Sequence, residues 1–338
     1  QAHRSRFGSD DDLLVGLQLT HSGRWSHAEP LIARHHAAID RVKGADCDVI
    51  DDARLEHLED SYVEAAERAA SIGFDFVDIK QCHTYLLNEL LGARDRDGPY
   101  GGAFENRVRF ITNVIRKIRD RVGPALALAT RLNVYDGPPF STGAENLGVP
   151  DAEGGAGFGV SESDGITPDL SEPLSLVGEL RDLGVAMVNV TMGSPYFNPH
   201  IGRPFERAPV DGYTPPEHPL VGVDRHFRLT AEVQKAFPDL AVIGTGYSWL
   251  RHFAANAGAA NVREGRVSVM GLGRGALAYP DFAADLMDQG RMVDRKSCIG
   301  VSFCTALMRA KNNELGQFPA GCAPRDPFYA QQYRLSRS

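Results

Sequence analysis

Residues 74–88 read Phe-Asp-Phe-Val-Asp-Ile-Lys-Gln-Cys-His-Thr-Tyr-Leu-Leu-Asn, an apolar run that ends in a cluster of reactive side chains. The run over 74–79 has the length of a β-strand. The segment before it, 55–72, has apolar residues at helical spacing and is followed by Gly73, a typical helix end. A helix followed by a short buried strand is one step of the βα rhythm that builds parallel sheets.

The same alternation of strands and helices continues along the whole chain. Strands are predicted over residues 13–19, 74–79, 125–132, 185–190, 240–243 and 266–270. Helices are predicted over residues 55–72, 104–122, 174–183, 229–237, 250–258 and 280–290. These six βα units predict an α/β fold with a parallel sheet, and 338 residues suit a single α/β barrel.

The composition argues against several classes of protein. The chain is 43% hydrophobic and 24% charged with a formal net charge of -8, which is ordinary for a globular protein and argues against a broad nucleic-acid-binding face. Its apolar runs are too short for a membrane span. The odd number of cysteines, five, does not suit a disulfide framework, so we expect a reducing compartment, the cytoplasm.

Two long stretches interrupt the rhythm, and each follows the C-terminal end of a predicted strand. Residues 136–173 are rich in Gly, Pro and Ser and are expected to be exposed decoration. Residues 193–223 contain Pro, His and the aromatic residues Tyr196, Phe197 and Tyr213. Because the C-terminal ends of barrel strands carry the active site, we expect the second loop to serve as a lid.

Three proton-donating side chains, Lys80, His83 and Tyr85, stand close together in sequence at the end of one predicted strand. On a barrel they would point into the mouth where a substrate binds. Lys or His can hydrogen-bond a carbonyl oxygen that gains negative charge, and Tyr can donate a proton. The alternative is structural: Lys80 would be solvated or ion-paired, and Tyr85 would pack on the following helix.

Other strand ends carry candidate binding residues. Gln18 offers an amide donor and acceptor, and Arg131 would be costly to bury unless it faces an anion or a carboxylate. Glycine loops follow the last two strands: Gly244-Thr245-Gly246 and Gly271-Leu272-Gly273-Arg274. In βα barrels the amides of such loops form a phosphate site, which Arg274 would strengthen.

The sequence predicts no metal site. Cys298, Cys304 and Cys322 are too few for a four-thiolate iron–sulfur centre and are expected to be thiols. The histidines at positions 27, 35 and 36 lack the spacing of metal ligands on a helix, so we expect them at the surface.

Taken in order along the chain, several of these segments resemble the old yellow enzyme family, the FMN-dependent NADH:flavin oxidoreductases. The matching segments are Gln18–Arg24, Val77–Asn88, Tyr100–Arg107, Arg131, Gly244–Gly246 and Gly271–Arg274. The resemblance covers nearly the whole chain and implies a TIM (β/α)8 barrel with FMN at its C-terminal mouth. In the family two further βα units precede the segment at Gln18, so we expect about six of the eight units here.

The resemblance also implies a role for each candidate residue. Gln18 matches the amide at the flavin pyrimidine edge, and Arg131 matches the cation beside flavin N1 and O2. His83 matches the second residue of the pair that binds the substrate's carbonyl oxygen. Tyr85 matches the tyrosine that protonates the carbon opposite hydride attack. The phosphate of FMN would be held by Gly244, Thr245, Gly246, Gly273 and Arg274.

Lys80 departs from the family pattern, because the first residue of the carbonyl-binding pair is usually His in ene-reductases. An ammonium is a stronger point charge than an imidazole but differs in length and hydration. It suits an enolate-like oxyanion or a different substrate, so an FMN dehydrogenase or demethylase of an amine stays open. A Schiff-base lyase with Lys80 as its nucleophile and a non-catalytic barrel subunit stay open as well.

The resemblance therefore implies an oxidoreductase that passes hydride from NADH or NADPH through FMN to an activated alkene. Residues 1–292 would form the FMN-binding barrel, and residues 293–338 would form a C-terminal tail packed on it. The expected partner is a small-molecule substrate, with neither nucleic acid nor membrane, and a homo-oligomer is a possible state.

Overall fold

The structure of the chain is a computed structural model that describes residues 2–151, 153, 155–208, 210, 212–310 and 318–337. In chain order, the strands are β1 (Gly16–Leu19), β2 (Leu31–Ile32), β3 (Asp48–Val49), β4 (Phe76–Gln81), β5 (Ala127–Tyr135), β6 (Phe140–Thr142), β7 (Gly148–Pro150), β8 (Met187–Met192), β9 (Ala241–Gly244) and β10 (Val269–Met270). In chain order, the helices are α1 (Ala2–Phe7), α2 (Ala37–Asp40), α3 (Asp52–Ser71), α4 (Leu86–Leu91), α5 (Phe104–Arg107), α6 (Arg109–Val122), α7 (Ser171–Asp182), α8 (Pro199–Gly202), α9 (Pro219–Ala236), α10 (Ala254–Arg263), α11 (Gly275–Ala278), α12 (Phe282–Gln289), α13 (Phe303–Arg309) and α14 (Pro327–Leu335).

Each of the six strands predicted from the sequence is present, and they form one sheet in the order β1-β4-β5-β8-β9-β10. Each begins one to three residues later than predicted, as β4 does at Phe76. The α/β class is therefore confirmed. Strands β1 and β10 are the two ends of this order, and an eight-stranded closed barrel stays a prediction.

Three of the helices differ clearly from the sequence prediction. The helix predicted over 250–258 lies at Ala254–Arg263, because a 3-10 helix occupies Tyr247–Phe253. The helix predicted over 104–122 is interrupted at Val108, where φ -91° and ψ -6° end α5 before α6 begins. The helix predicted from residue 229 begins at Pro219 instead. Its first turn is capped because the His218 side chain accepts a hydrogen bond from the Leu220 N–H, and Pro at the first position needs no partner.

The described chain folds as two compact units. The first comprises residues 1–136 and 154–189, and the second comprises residues 137–153 and 190–338. Strand β8 belongs to the first unit up to Asn189. Among the described residues, none of the helices combines the length and the apolarity that crossing a membrane requires.

In the first unit, the side chains of β4 point alternately to an apolar, buried face of the sheet and to a polar face. Strand β4 pairs in parallel with β1 and β5, and α3 packs against β4, β1 and α6. Val77 and Ile79 of β4 are completely buried, as is Leu55 of α3. Because neighbouring residues on a strand point to opposite faces, Asp78 and Lys80 lie on the other face of the sheet.

In the second unit, β9 pairs in parallel with β10, α9 packs on β9 and α10 packs on β10. One core cluster there consists of Tyr247, Ala254, Tyr279 and Met292. Tyr247 comes directly after the glycine loop at the end of β9, and its hydroxyl accepts a hydrogen bond from Asn261 Nδ2 at 3.0 Å. Burial of this ring therefore holds the loop in place.

The two long loops contain more structure than the sequence indicates. The first holds a hairpin in which β6 pairs antiparallel with β7, so the loop is only partly decoration. In the second, Phe197 and Tyr213 are buried, and the Tyr213 hydroxyl lies 2.6 Å from His200 Nδ1. Phe140 of β6 stacks on Tyr213, which ties the second loop to the hairpin. A lid role for this loop stays a prediction.

Candidate active site

One face of the first unit's sheet carries four polar side chains from three neighbouring strands. Gln18 of β1 is aligned with Asp78 of β4, and Lys80 of β4 is aligned with Arg131 of β5. Gln18 Nε2 donates a hydrogen bond to Asp78 Oδ2 at 2.6 Å. The parallel register therefore brings Gln18, Lys80 and Arg131 to one place, although they lie far apart in sequence.

Burial shifts the pKa values of Lys80 and Asp78 on this face. Lys80 is only 7% exposed. Its pKa is lowered to about 8, chiefly by burial and to a smaller extent by the charge of Arg131, while the charge of Asp78 opposes the shift. Burial also raises the pKa of Asp78, although the hydrogen bond from Gln18 and the charge of Arg131 oppose this shift. The group is thus a partly buried set of opposite charges around the buried Lys80, which can change its charge at a pH of about 8.

Two buried polar atoms in this group find no hydrogen-bond partner among the described residues. They are Asp78 Oδ1 and Arg131 Nε. A buried donor or acceptor without a partner costs free energy, so such atoms are normally satisfied by a ligand or by water. One free acceptor and one free donor on the same polar face therefore suit a ligand with polar groups along its edge.

A tight turn brings Tyr85 back over Lys80. His83 and Thr84 have left-handed backbone angles, with φ 66° and φ 54°, directly after β4. Asn88 Oδ1 accepts a hydrogen bond from the Thr84 N–H at 2.7 Å and so supports the turn. Lys80 Nζ lies 3.2 Å from the centroid of the Tyr85 ring. His83 lies in the turn that joins these two residues.

In the second unit, the loop after β9 is closely packed. Gly246 has φ 92°, and a Cβ at this position would approach His226 Cγ to 2.7 Å, so only glycine fits without a shift. The Thr245 hydroxyl donates to the Val190 carbonyl oxygen at 2.8 Å. Gly244 ends β9, and its carbonyl oxygen accepts from the Gly271 N–H at 2.7 Å. This bond joins the two glycine loops.

The loop after β10 is open and cationic. A Cβ built on Gly273 would meet nothing within 4 Å, so there is room for a group to approach the backbone. The Arg274 guanidinium donates to the Thr305 hydroxyl. Burial and, to a smaller extent, the nearby positive charge of Arg203 lower the pKa of Arg274 to about 10. An anion bound here would offset both effects, which suits a phosphate group.

One residue of the site escaped the sequence analysis. Asp78 was not singled out, yet it accepts the hydrogen bond of Gln18 and lies beside Lys80 and Arg131. The sequence did contain a signal for it: Asp78 lies two residues before Lys80 on the same strand, and residues two apart on a strand share a face.

Burial of two further polar residues was not foreseen. The Arg24 guanidinium is 1% exposed and forms ion pairs with Glu89 and with Asp40, the latter at 2.7 Å. Arg24 therefore holds the segment after β1 to α4. The expectation that His36 lies at the surface is wrong, because this side chain is buried and burial lowers its pKa to about 4.

Residues 9–146 match the model of the NADH:flavin oxidoreductase / NADH oxidase family. This part of the chain is therefore similar to that family. The matched region contains Gln18, Asp78, Lys80 and Arg131, and it also contains Tyr85. The polar face of the first unit therefore lies within the part of the chain that the family model covers.

Curated relatives match different lengths of the chain. It is 32% identical over 128 residues to an NADPH dehydrogenase of Geobacillus sp. (strain WCH70), a match that covers 37% of this chain and 34% of that protein. It is 23% identical over 306 residues to a probable N-methylproline demethylase of Rhizobium meliloti (strain 1021), which covers 87% of this chain and 38% of that protein. The chain thus spans less than two fifths of the length of either relative.

Among solved structures, an old yellow enzyme homologue from Zymomonas mobilis matches with a TM-score of 0.54 and 18% identity. The match covers 83% of this chain and 69% of that one. At this identity the likeness shows the fold and leaves the chemistry to be argued from the site. Together with the family match, it confirms the resemblance to old yellow enzymes inferred from the sequence.

Proposed function

We propose that this chain is the FMN-binding part of an oxidoreductase that uses NADH or NADPH to reduce an activated alkene in a small molecule. The observation that carries the proposal is the polar face of the first unit, on which Lys80 is buried. Gln18, Asp78, Lys80 and Arg131 converge there with two unsatisfied polar atoms, and Tyr85 lies directly above Lys80. The family match over residues 9–146 supports the same reaction class.

The residues present fit a flavin in each unit taken by itself. In the first unit, Gln18 would bond the polar edge of the ring and Arg131 Nε would donate to a ring oxygen or nitrogen. In the second unit, the open backbone at Gly273 and the cation of Arg274 would hold the phosphate, with Gly244, Thr245 and Gly246 shaping the neighbouring loop. Bound FMN supplies hydride transfer between the nicotinamide cofactor and the substrate.

The protein's own residues would orient and polarise the substrate. The Lys80 ammonium and His83 would bind the carbonyl oxygen conjugated to the alkene and stabilise the negative charge that develops on it. The Tyr85 hydroxyl would donate a proton to the carbon opposite the one that receives hydride. Burial of Lys80 strengthens its effect, because little water remains to screen the charge.

We extend the proposal to the architecture of the whole protein. The six-stranded sheet would supply about six of the eight units of a closed TIM barrel, with residues 1–292 as the barrel and residues 293–338 as a tail packed on it. The charge balance favours a small-molecule substrate over nucleic acid, and the thiols favour the cytoplasm.

Oxidation of an N-methyl amine is the second candidate. The specific observation that favours it is the match to the probable N-methylproline demethylase, which extends over 87% of the chain. Because the pKa of Lys80 is lowered to about 8, a neutral lysine is accessible and could accept a proton from an amine substrate. The two candidates therefore require opposite charge states of Lys80.

Titration of the purified protein with FMN, followed by the change in flavin fluorescence, tests the cofactor. NADH and NADPH oxidation would then be measured with a panel of enones, and the reduction of bound FMN in the absence of NAD(P)H would be measured with a panel of N-methyl amines. We expect the native protein to bind FMN and Arg131→Met to bind it with a weaker affinity. The control Arg228→Met, whose exposed side chain pairs with Asp224, should bind FMN with the native affinity. Absence of both FMN binding and FMN-dependent NAD(P)H oxidation would overturn the proposal.

A further inference from the structure

A cavity of about 240 Å³ lies within the second unit. Its lining includes none of the residues proposed to bind FMN, although Arg203 in its wall lies near Arg274. Three chain segments line it: residues 203–207, 248–251 and 298–301. Arg203, Arg207 and Arg251 contribute positive charge, whereas Glu206 is the acidic residue in the lining. The described residues place no carboxylate within ion-pair distance of these three guanidiniums, so the cavity is cationic and suits a small anionic ligand.

The sulfur of Cys298 lies in the wall of this cavity and accepts hydrogen bonds from two donors. Arg203 Nη2 donates to Cys298 Sγ at 2.6 Å, and the Gly300 N–H donates to the same sulfur at 3.4 Å. The left-handed backbone of Gly300 and Ser302, with φ 80° and φ 61°, curls the chain around the sulfur. Cys298 is half-buried, so a small molecule in the cavity can reach it.

This arrangement separates Cys298 from the other thiols. Cys82, Cys304 and Cys322 are buried, and burial raises the pKa of Cys82 and of Cys322 to about 11. Buried thiols of that kind stay protonated and inert at neutral pH. Cys47 is half-buried like Cys298 but belongs to the first unit and does not line the cavity. It therefore provides a matched internal control.

We propose that Cys298 is a thiol–disulfide exchange site for small disulfides that carry carboxylate groups. The Cys298 thiolate would attack one sulfur of the disulfide, whose S–S bond breaks as the new S–S bond forms. The other half leaves as a thiolate and takes a proton from solvent, so the small disulfide is the oxidant. The Arg203 guanidinium would stabilise the negative charge spread over the sulfurs, and Arg207 and Arg251 would attract the carboxylates. This site does not depend on flavin chemistry.

Three disulfides of matched length test the proposal: dithiodipropionate, hydroxyethyl disulfide and cystamine carry a carboxylate, a hydroxyl and an ammonium on the same two-carbon arm. Each rate of modification of the full chain would be divided by the rate for free N-acetylcysteine under identical conditions. We expect dithiodipropionate to react with the protein roughly tenfold faster than hydroxyethyl disulfide, with cystamine slowest, because cationic clefts raise the encounter rates of anions. The preference should shrink at high salt.

Peptide mapping identifies the cysteine that reacts, and variants identify the residues that select the disulfide. Mass spectrometry should find the adduct on Cys298 in the native chain and in Cys47→Ser, and Cys298→Ser should lose it. The double variant Arg207→Gln and Arg251→Gln should bring the normalised rates of the three disulfides close together while hydroxyethyl disulfide still reacts. The proposal is overturned if the adduct forms on another cysteine, or if the normalised rates are equal in the native chain.

Discussion

Lys80 Nζ lies 3.2 Å from the centroid of the Tyr85 ring, and the turn between the two residues has left-handed backbone at His83 and Thr84. The negative face of an aromatic ring attracts an ammonium, whereas burial of Lys80 disfavours the charged form. With its pKa lowered to about 8, Lys80 can change its charge at a mildly alkaline pH. The charge of this one side chain is therefore the quantity on which the predictions about catalysis depend.

The pH dependence of turnover separates the two candidate functions. Burial lowers the pKa of Lys80 to about 8, so the ammonium is present below that pH and is lost above it. If the ammonium binds a carbonyl oxygen, kcat/KM for enone reduction falls as the pH rises through about 8. If the neutral amine accepts a proton, kcat/KM for amine oxidation rises through the same pH. The profile is measured by steady-state kinetics, and Lys80→Met should lack this inflection in either case.

Replacement of Lys80 should impair turnover more than flavin binding. In Lys80→Met we expect kcat for an enone to fall by about 10²-fold or more, because one donor to a developing oxyanion contributes that much. The affinity for FMN should stay within a few-fold of the native value. Lys235→Met is the control, since Lys235 is exposed near the end of α9. Equal kcat in both variants would exclude Lys80 from the chemistry.

Removal of the Tyr85 hydroxyl isolates the proton transfer. Tyr85→Phe keeps the aromatic ring over Lys80 and removes only the acidic group. We expect enone reduction to slow by about 10²-fold or more, the usual contribution of a positioned proton donor. Stopped-flow measurement of flavin reduction by NADPH should give the native rate. If both half-reactions slow equally, Tyr85 acts on the position of the flavin and not as the proton donor.

Two glycines of the loop after β10 should respond differently to the same substitution. At Gly273 a Cβ meets open space, so Gly273→Ala should fold normally but crowd a bound phosphate and weaken FMN binding about tenfold, the loss of roughly one hydrogen bond to a charged group. At Gly271 a Cβ would lie 2.8 Å from the Gly244 carbonyl oxygen, so Gly271→Ala should lower the free energy of unfolding by about 1–3 kcal/mol. Fluorescence titration with FMN and urea denaturation measure the two effects. Native FMN affinity in Gly273→Ala would argue against a phosphate at this loop.

Stability of the first unit should depend on Arg24. Its guanidinium pairs with Glu89 and Asp40, and all three groups are largely shielded from water. In Arg24→Met the two carboxylates lose a buried partner, which we expect to cost about 3–5 kcal/mol of unfolding free energy. The control Arg228→Met removes an exposed pair with Asp224 and should cost less than about 1 kcal/mol. Denaturation curves of similar midpoint for the two variants would contradict this reading.

The order of elements was predictable because its signals are local. Apolar runs and helical spacing identified the six strands of the sheet and the segments that form α3, α5 with α6, α7, α9, α10 and α12. The strand ends pointed to Lys80 and Arg131. The start of α9 at Pro219 was missed because its cap is His218, a residue type that seldom caps helices. Asp78 was missed because its importance lies in its neighbour Gln18 on another strand.

The sequence by itself determined the α/β class, the succession of strands and helices, and which residues stand at the strand ends. Only the tertiary structure decided that Gln18 is aligned with Asp78, that Lys80 is aligned with Arg131, and that Arg203 reaches the sulfur of Cys298. The physical reason is the separation in sequence of the residues that interact. Periodicity is a property of adjacent residues, whereas register and side-chain partners depend on the packing of residues that are distant in the chain.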